Sequence, residues 1–149
     1  MHLLQQIITS FVASVAFGIM FNSPKSALVK CGLIGMVGWV VYSVLVALDV
    51  NTVISTLIAA LLIGVIGQSY AHIYKVPAII FTAPSMIPLV PGGAAHDAVH
   101  YFVQDNYHSA VQLSIKVFLL SIVIAVGFIL SEAGNQLYTK YLIRRKGMP

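Results

Sequence analysis

Between Lys75 and Gly93 the chain reads Lys-Val-Pro-Ala-Ile-Ile-Phe-Thr-Ala-Pro-Ser-Met-Ile-Pro-Leu-Val-Pro-Gly-Gly, a run apolar enough for a membrane that carries four prolines and a glycine pair. An interior proline removes a backbone donor and clashes with the carbonyl four residues back. In lipid every freed backbone group needs a partner, so a broken helix persists only inside protein or beside water. Such a segment is expected where something small binds or passes. The plainer alternative is a kinked or capped helix with no ligand.

The rest of the chain sets that segment in a membrane protein. Of 149 residues, 59% are hydrophobic and 8% are charged, against roughly 25% charged in soluble domains. The net charge of +4 is not gathered into a nucleic-acid-binding stripe. Basic residues instead flank the apolar runs, as membrane-bordering charges do. Cys31 is the one cysteine, so no intrachain disulfide or thiolate cluster can form. The first residues lack a basic region and a small-residue cleavage site and read as a retained helix.

A spanning helix needs about 20 mostly apolar residues. The expected fold is an all-α polytopic membrane protein, one transmembrane domain over 1–149. Its five segments run about 3–21, 27–48, 53–74, 76–102 and 111–138, the fourth broken by Pro and Gly. Asn22-Ser-Pro24, Asp49-Val-Asn51 and Gln104 to His108 read as turns. Lys25, Lys30, Lys75, Lys140, Arg144, Arg145 and Lys146 fall on one side, and Asp49, Asp97 and Asp105 on the other. Five crossings then put the N-terminus outside and the C-terminus in the cytoplasm. Lys116, near the outer end of the fifth segment, is read as snorkelling. Gly32, Gly35 and Gly38 share an arc of the second segment, and Ser14 with Gly18 and Gly64 with Gly67 are similar. Small residues on one face let helix backbones approach closely. No internal repeat is visible.

After Pro91 a helix can restart through Gly-Gly-Ala-Ala-His-Asp-Ala-Val-His-Tyr-Phe. Its first N–H groups lack intrahelical acceptors and carry the positive end of the helix dipole. A carboxylate can bind at such an end without an arginine. Pro88, Pro91, Gly92, Gly93 and Asp97 are therefore the candidate substrate-binding residues. A bulky residue at Gly92 would also strain the backbone if that glycine has positive φ. Asp97 can accept an ammonium group or carry a coupling proton; the simpler reading is an acid complementing the dipole. Asn22 beside Pro24 reads as a cap and turn, with substrate contact as its functional reading.

His96 and His100 lie four apart, a spacing that binds zinc in His-Glu-x-x-His proteases. The intervening acid is Asp97, and only isolated residues such as His108 or Glu132 offer a third ligand. Neither a metal nor any other cofactor is expected; pH sensing is the functional reading for the pair. Glu132 is expected near the inner end of the last segment, paired with Lys140, another basic residue or a partner chain.

Phe17-Gly-Ile-Met-Phe-Asn-Ser-Pro24 resembles the first sequence element of the threonine/serine exporter family, and Gly32 to Tyr42 the second. Lys75-Val-Pro77 with Ile87-Pro-Leu-Val-Pro-Gly92 resembles its most distinctive element, and Tyr101 to Ala110 the turn before its last helix. The resemblance covers nearly the whole chain and is closest to the small member of the family's two-chain layout. It implies one subunit of a two-component exporter in a bacterial inner membrane, working with a larger, separately encoded membrane subunit. It also implies proton-motive-force-driven export of small carboxylates such as threonine, serine or succinate, and no enzyme activity. Where the family carries an acid four positions before an arginine, this chain has Gln68 and His72, which puts a coupling role there in doubt. Two other classes compete: a structural or assembly subunit with no substrate site, and an intramembrane metal-dependent hydrolase using His96 and His100.

Overall fold

The computed structural model describes residues 2–145, and among them it is all-helical, without strands. Lys146 lies outside the described residues. The helices are α1 (His2–Met20), α2 (Lys25–Ala47), α3 (Thr52–Tyr74), α4 (Ile79–Ser85), α5 (Gly92–Val103) and α6 (Tyr107–Arg145), with a 3-10 turn at Ile87–Leu89. Three helical stretches are long and apolar enough to cross a membrane: Lys25–Ala47, Thr52–Tyr74 and Tyr107–Leu137. Leu4–Met20 and Ile79–Leu89 are shorter apolar stretches. α6 runs past the expected end near residue 138, because Lys140, Arg144 and Arg145 are good helix formers.

One device ends four of the helices. Asn22, Asp49, Lys75 and Asp105 each adopt the left-handed conformation, with φ of 54°, 58°, 53° and 59°. The residue after each donates its N–H back to a carbonyl five positions earlier. Ser23 reaches Gly18 at 2.9 Å, Val50 Leu45 at 3.1 Å, Val76 Ala71 at 3.2 Å and Asn106 Tyr101 at 3.0 Å. This closes helix ends tightly and satisfies carbonyls that would otherwise be orphaned. Asn and Asp tolerate the conformation, whereas lysine does so rarely. Asn51 and Asn106 then open α3 and α6, their side-chain oxygens accepting from the N–H groups of Val53 (2.9 Å) and Ser109 (3.3 Å).

Antiparallel α1, α2 and α3 surround α4, while α6 packs on α3 and α5 packs on α6. The buried core gathers Cys31, Ile34, Ala59, Ala60, Ile63, Phe81 and Leu89. Glycines let these helices approach. A Cβ on Gly35 would lie 2.9 Å from the Ser14 Cβ and 3.0 Å from the Ser85 carbonyl oxygen. A Cβ on Gly127 of α6 would lie 2.8 Å from the Ala60 Cβ of α3. Where apolar burial gains nothing over lipid, such close backbone contact is what holds helices together.

The two ends of the bundle differ in charge. Lys25, Lys30 and Lys75 sit at the end where α1 and α3 finish and α2 begins. Lys30 Nζ lies 3.6 Å from the centroid of the Tyr74 ring, a cation–π contact. Asp49 and Asp105 sit in the turns at the opposite end.

Candidate functional site

The interrupted segment shows how the chain accommodates its prolines. Pro84 lies inside α4 and has no N–H for the carbonyl of Ile80, four residues back. Two groups from outside the helix replace that donor. The Cys31 S–H donates to the Ile80 carbonyl at 3.3 Å, and the Ser23 hydroxyl reaches it at 3.5 Å. The Ser85 hydroxyl sits between the carbonyls of Phe81 (2.6 Å) and Cys31 (3.0 Å). Polar groups of α2 and its preceding turn thus take over bonds that α4 lacks, as a dry interior demands.

Beyond Ser85 the bonding tightens. Leu89 N–H donates to the Met86 carbonyl at 2.9 Å and Val90 N–H to that of Ile87 at 3.2 Å. Pro88 lies within this 3-10 turn. Val90 is extended, as a residue before proline prefers. Pro91 caps α5 with φ −74° and ψ 54°. At the start of α5, Gly92 N–H donates to the Val90 carbonyl at 2.7 Å and Ala95 N–H to that of Pro91 at 3.0 Å. The N–H groups of Gly93 and Ala94 are left without an acceptor among the described residues. The free pair is therefore displaced by one residue from Gly92 and Gly93.

Both glycines are exposed, neither has φ in the left-handed region, and a Cβ on either meets nothing within 4 Å. Strain from positive φ is thus absent at Gly92. Asp97, 61% exposed, follows on α5, its Oδ1 3.5 Å from Nδ1 of His96. The rings of His96 and His100 stack with centroids 6.2 Å apart. His100 Nε2 accepts from the Gln104 amide at 3.0 Å when that nitrogen is unprotonated. No group of three metal-ligating side chains occurs among the described residues.

The structure brings Pro88, Pro91, Gly92, Gly93, His96, Asp97 and His100 onto one continuous stretch of chain. It does not bring Asn22 to them. Asn22 is an exposed residue in the left-handed turn at the basic end, and the neighbouring Ser23 meets the α4 end of the segment through Ile80.

A second polar region lies where the parallel helices α3 and α6 meet. Two side-chain pairs cross the seam one helical turn apart. The Gln68 amide lies 3.1 Å from Ser131 Oγ, and the Asn135 amide nitrogen lies 3.0 Å from Nε2 of His72. Turned over, the Gln68 amide also donates to the Ser131 carbonyl at 3.1 Å. Gln68 and Ser131 are buried, at 7% and 3% exposure. One turn earlier, Gly64 abuts the Ser131 hydroxyl. Residues 60, 64, 68 and 72 of α3 thus face 127, 131 and 135 of α6, a repeat of four on each helix.

Two cavities open at this seam. One, of about 710 Å³, is lined by Gln68, Ser69, His72, Ser131 and Asn135 among apolar residues. The other, of about 380 Å³, shares Gln68, His72 and Asn135 and adds Lys75. Sequence reasoning singled out Gln68 and His72 but missed Ser131 and Asn135. Their own spacing of four matched that of Gln68 and His72 and was the one available signal. Glu132 is exposed and forms no ion pair with Lys140, which lies two turns further along α6. The Lys140 alternative of that expectation is corrected accordingly.

Residues 6–133 match the family model described as the threonine/serine exporter, ThrE. No solved structure matches the chain.

Proposed function

Because the chain belongs to the threonine/serine exporter family, we propose that it is one subunit of a two-component exporter of small carboxylate metabolites in a bacterial inner membrane. Its membrane character and transport role follow from that membership and from its three spanning-length helices. The observation that carries the proposal is the family match over residues 6–133 of a chain with three helices long and apolar enough to cross a membrane. The larger subunit supplies the remaining transport machinery. Threonine, serine or succinate is the cargo, and the proton motive force drives export.

In this reading the chain crosses the membrane five times. α1 and the α4–α5 segment complete the set begun by α2, α3 and α6. The basic end faces the cytoplasm, which the placement of Lys25, Lys30 and Lys75 opposite Asp49 and Asp105 supports. The fourth crossing is broken between α4 and α5. A substrate carboxylate binds at the start of α5, on the free N–H groups of Gly93 and Ala94, with Pro88 and Pro91 shaping the turn. Asp97 takes the substrate ammonium or the coupling proton, and His96 and His100 tune it with pH. The openness around Gly92 and Gly93 favours this, since neither glycine is demanded by packing or by backbone conformation within this chain.

The experiment is deletion of the chain in its own host, with intracellular and medium threonine, serine and succinate followed after loading. At least one should be retained in the cells and released again on complementation. Unchanged release of all three would refute the proposal.

A further inference from the structure

We propose that the cleft between α3 and α6, at the basic end of the bundle, is a loading site for a small carboxylate, and that it reads the carboxylate without reading an ammonium group. The proposal deepens the exporter reading and rests on it. It assigns a place separate from the Gly93 and Ala94 amides, several helical turns away along the bundle.

Three observations carry it. First, the polar groups converge. Gln68, Ser69, His72 and Lys75 from α3 and its end, and Ser131 and Asn135 from α6, line two adjoining cavities of about 710 and 380 Å³. Second, the set is one-sided in charge. Lys75 has no acidic partner, and no aspartate or glutamate lines either cavity, among the described residues. The Lys75 ammonium has three donors, and the Asn135 amide nitrogen lies 3.0 Å from His72 Nε2 and 3.2 Å from the Gln68 amide. Lys25 and Lys30 at the same end add positive potential, which draws anions toward the mouth. Third, Lys75 is held in the left-handed conformation at φ 53°, by the bond from Val76 N–H to the Ala71 carbonyl. A lysine rarely adopts that conformation, and an outlier of this kind points to a role for the side chain.

Gly64 packs on Ser131 and Gly127 on Ala60, so the two backbones meet closely, and the larger cavity runs beside that contact from Leu61 to Asn135. An amino acid would bring its ammonium to a place with no carboxylate to receive it. A dicarboxylate would bring a second anion to a place rich in donors.

The test uses the full chain in lipid nanodiscs, in whatever assembly it forms in its own membrane, with binding of labelled succinate measured and unlabelled threonine as competitor. Lys75→Asn removes the ammonium but suits the left-handed turn. Asn135→Asp keeps the shape and adds a negative charge. Each should weaken succinate binding about tenfold or more, while Lys116→Gln, which removes a distant positive charge, should leave it unchanged. Threonine should compete at least tenfold less well than succinate. Wild-type binding in both Lys75→Asn and Asn135→Asp, or competition by threonine as strong as by succinate, would overturn the proposal. If export continues in those variants, the cleft assignment alone falls; if the wild-type assembly neither binds nor moves any of these carboxylates, the exporter reading falls with it.

Discussion

The Cys31 thiol donates to the backbone carbonyl of Ile80 at 3.3 Å, the carbonyl that Pro84 deprives of its helical donor. The one cysteine of the chain thus serves as a structural donor, spanning 49 residues of sequence to mend a break in another helix. Cys31→Ser keeps a donor at this place and should leave stability nearly unchanged. Cys31→Ala leaves the carbonyl with only the more distant Ser23 hydroxyl, and should cost about 1 kcal/mol, the usual net worth of one hydrogen bond. Thermal unfolding of the two variants in detergent checks this; equal losses would show that the thiol acts only by filling space.

Two glycine positions should behave in opposite ways. At Gly35 a methyl group meets the Ser14 side chain and the Ser85 carbonyl, with backbone on one side that cannot yield. Gly35→Ala should destabilise by about 1–3 kcal/mol, the range for overpacking. At Gly93 a methyl group meets nothing, and the backbone is helical. Gly93→Ala should be neutral in stability, or stabilising by up to about 1 kcal/mol through helix propensity. Denaturation of both variants under one condition supplies the comparison.

Bulk at the start of α5 separates fold from function. Gly92→Val and Gly93→Val should both fold, since a Cβ at either position meets nothing within 4 Å. Export should nevertheless fall by about tenfold or more if a carboxylate must reach the Gly93 and Ala94 amides. Size-exclusion profiles taken before the efflux comparison separate misfolding from lost binding. Wild-type efflux in both variants would remove the site from α5.

Cysteine labelling tests the orientation. A cysteine at Lys140, in a Cys31→Ser background, should resist a membrane-impermeant maleimide in intact cells and react once the membrane is opened. One placed at Asp49 should react in both. The reverse pattern would place the basic end outside.

Some of this architecture was legible in the residues alone, and the reason differs by element. Runs such as Val53 to Ile66 carry no charge and no proline, so helix in a membrane is their one low-energy state. Asn22, Asp49 and Asp105 flagged turns because such residues accept positive φ. Lys75 carried no such signal, and its left-handed turn could not be foreseen. The restart of a helix at Gly92 could be anticipated from proline chemistry. Which N–H groups stay free could not, because the bond from Gly92 to Val90 depends on the ψ of Pro91. The α3–α6 cleft was half visible. Gln68 and His72 stood out, but Ser131 and Asn135 gain meaning only once the two helices are neighbours in parallel register. The expected contact between Glu132 and Lys140 failed on helix geometry, since eight residues span about 12 Å.

The most direct test of proton-driven carboxylate export is flux in proteoliposomes containing the chain together with the larger membrane subunit proposed for it, loaded in turn with labelled threonine, serine and succinate. At least one should be moved outward under an inward proton gradient, a protonophore should stop it, and omitting this chain should abolish it. Flux that is unaltered by the gradient, or that the larger subunit sustains without this chain, would contradict this proposal.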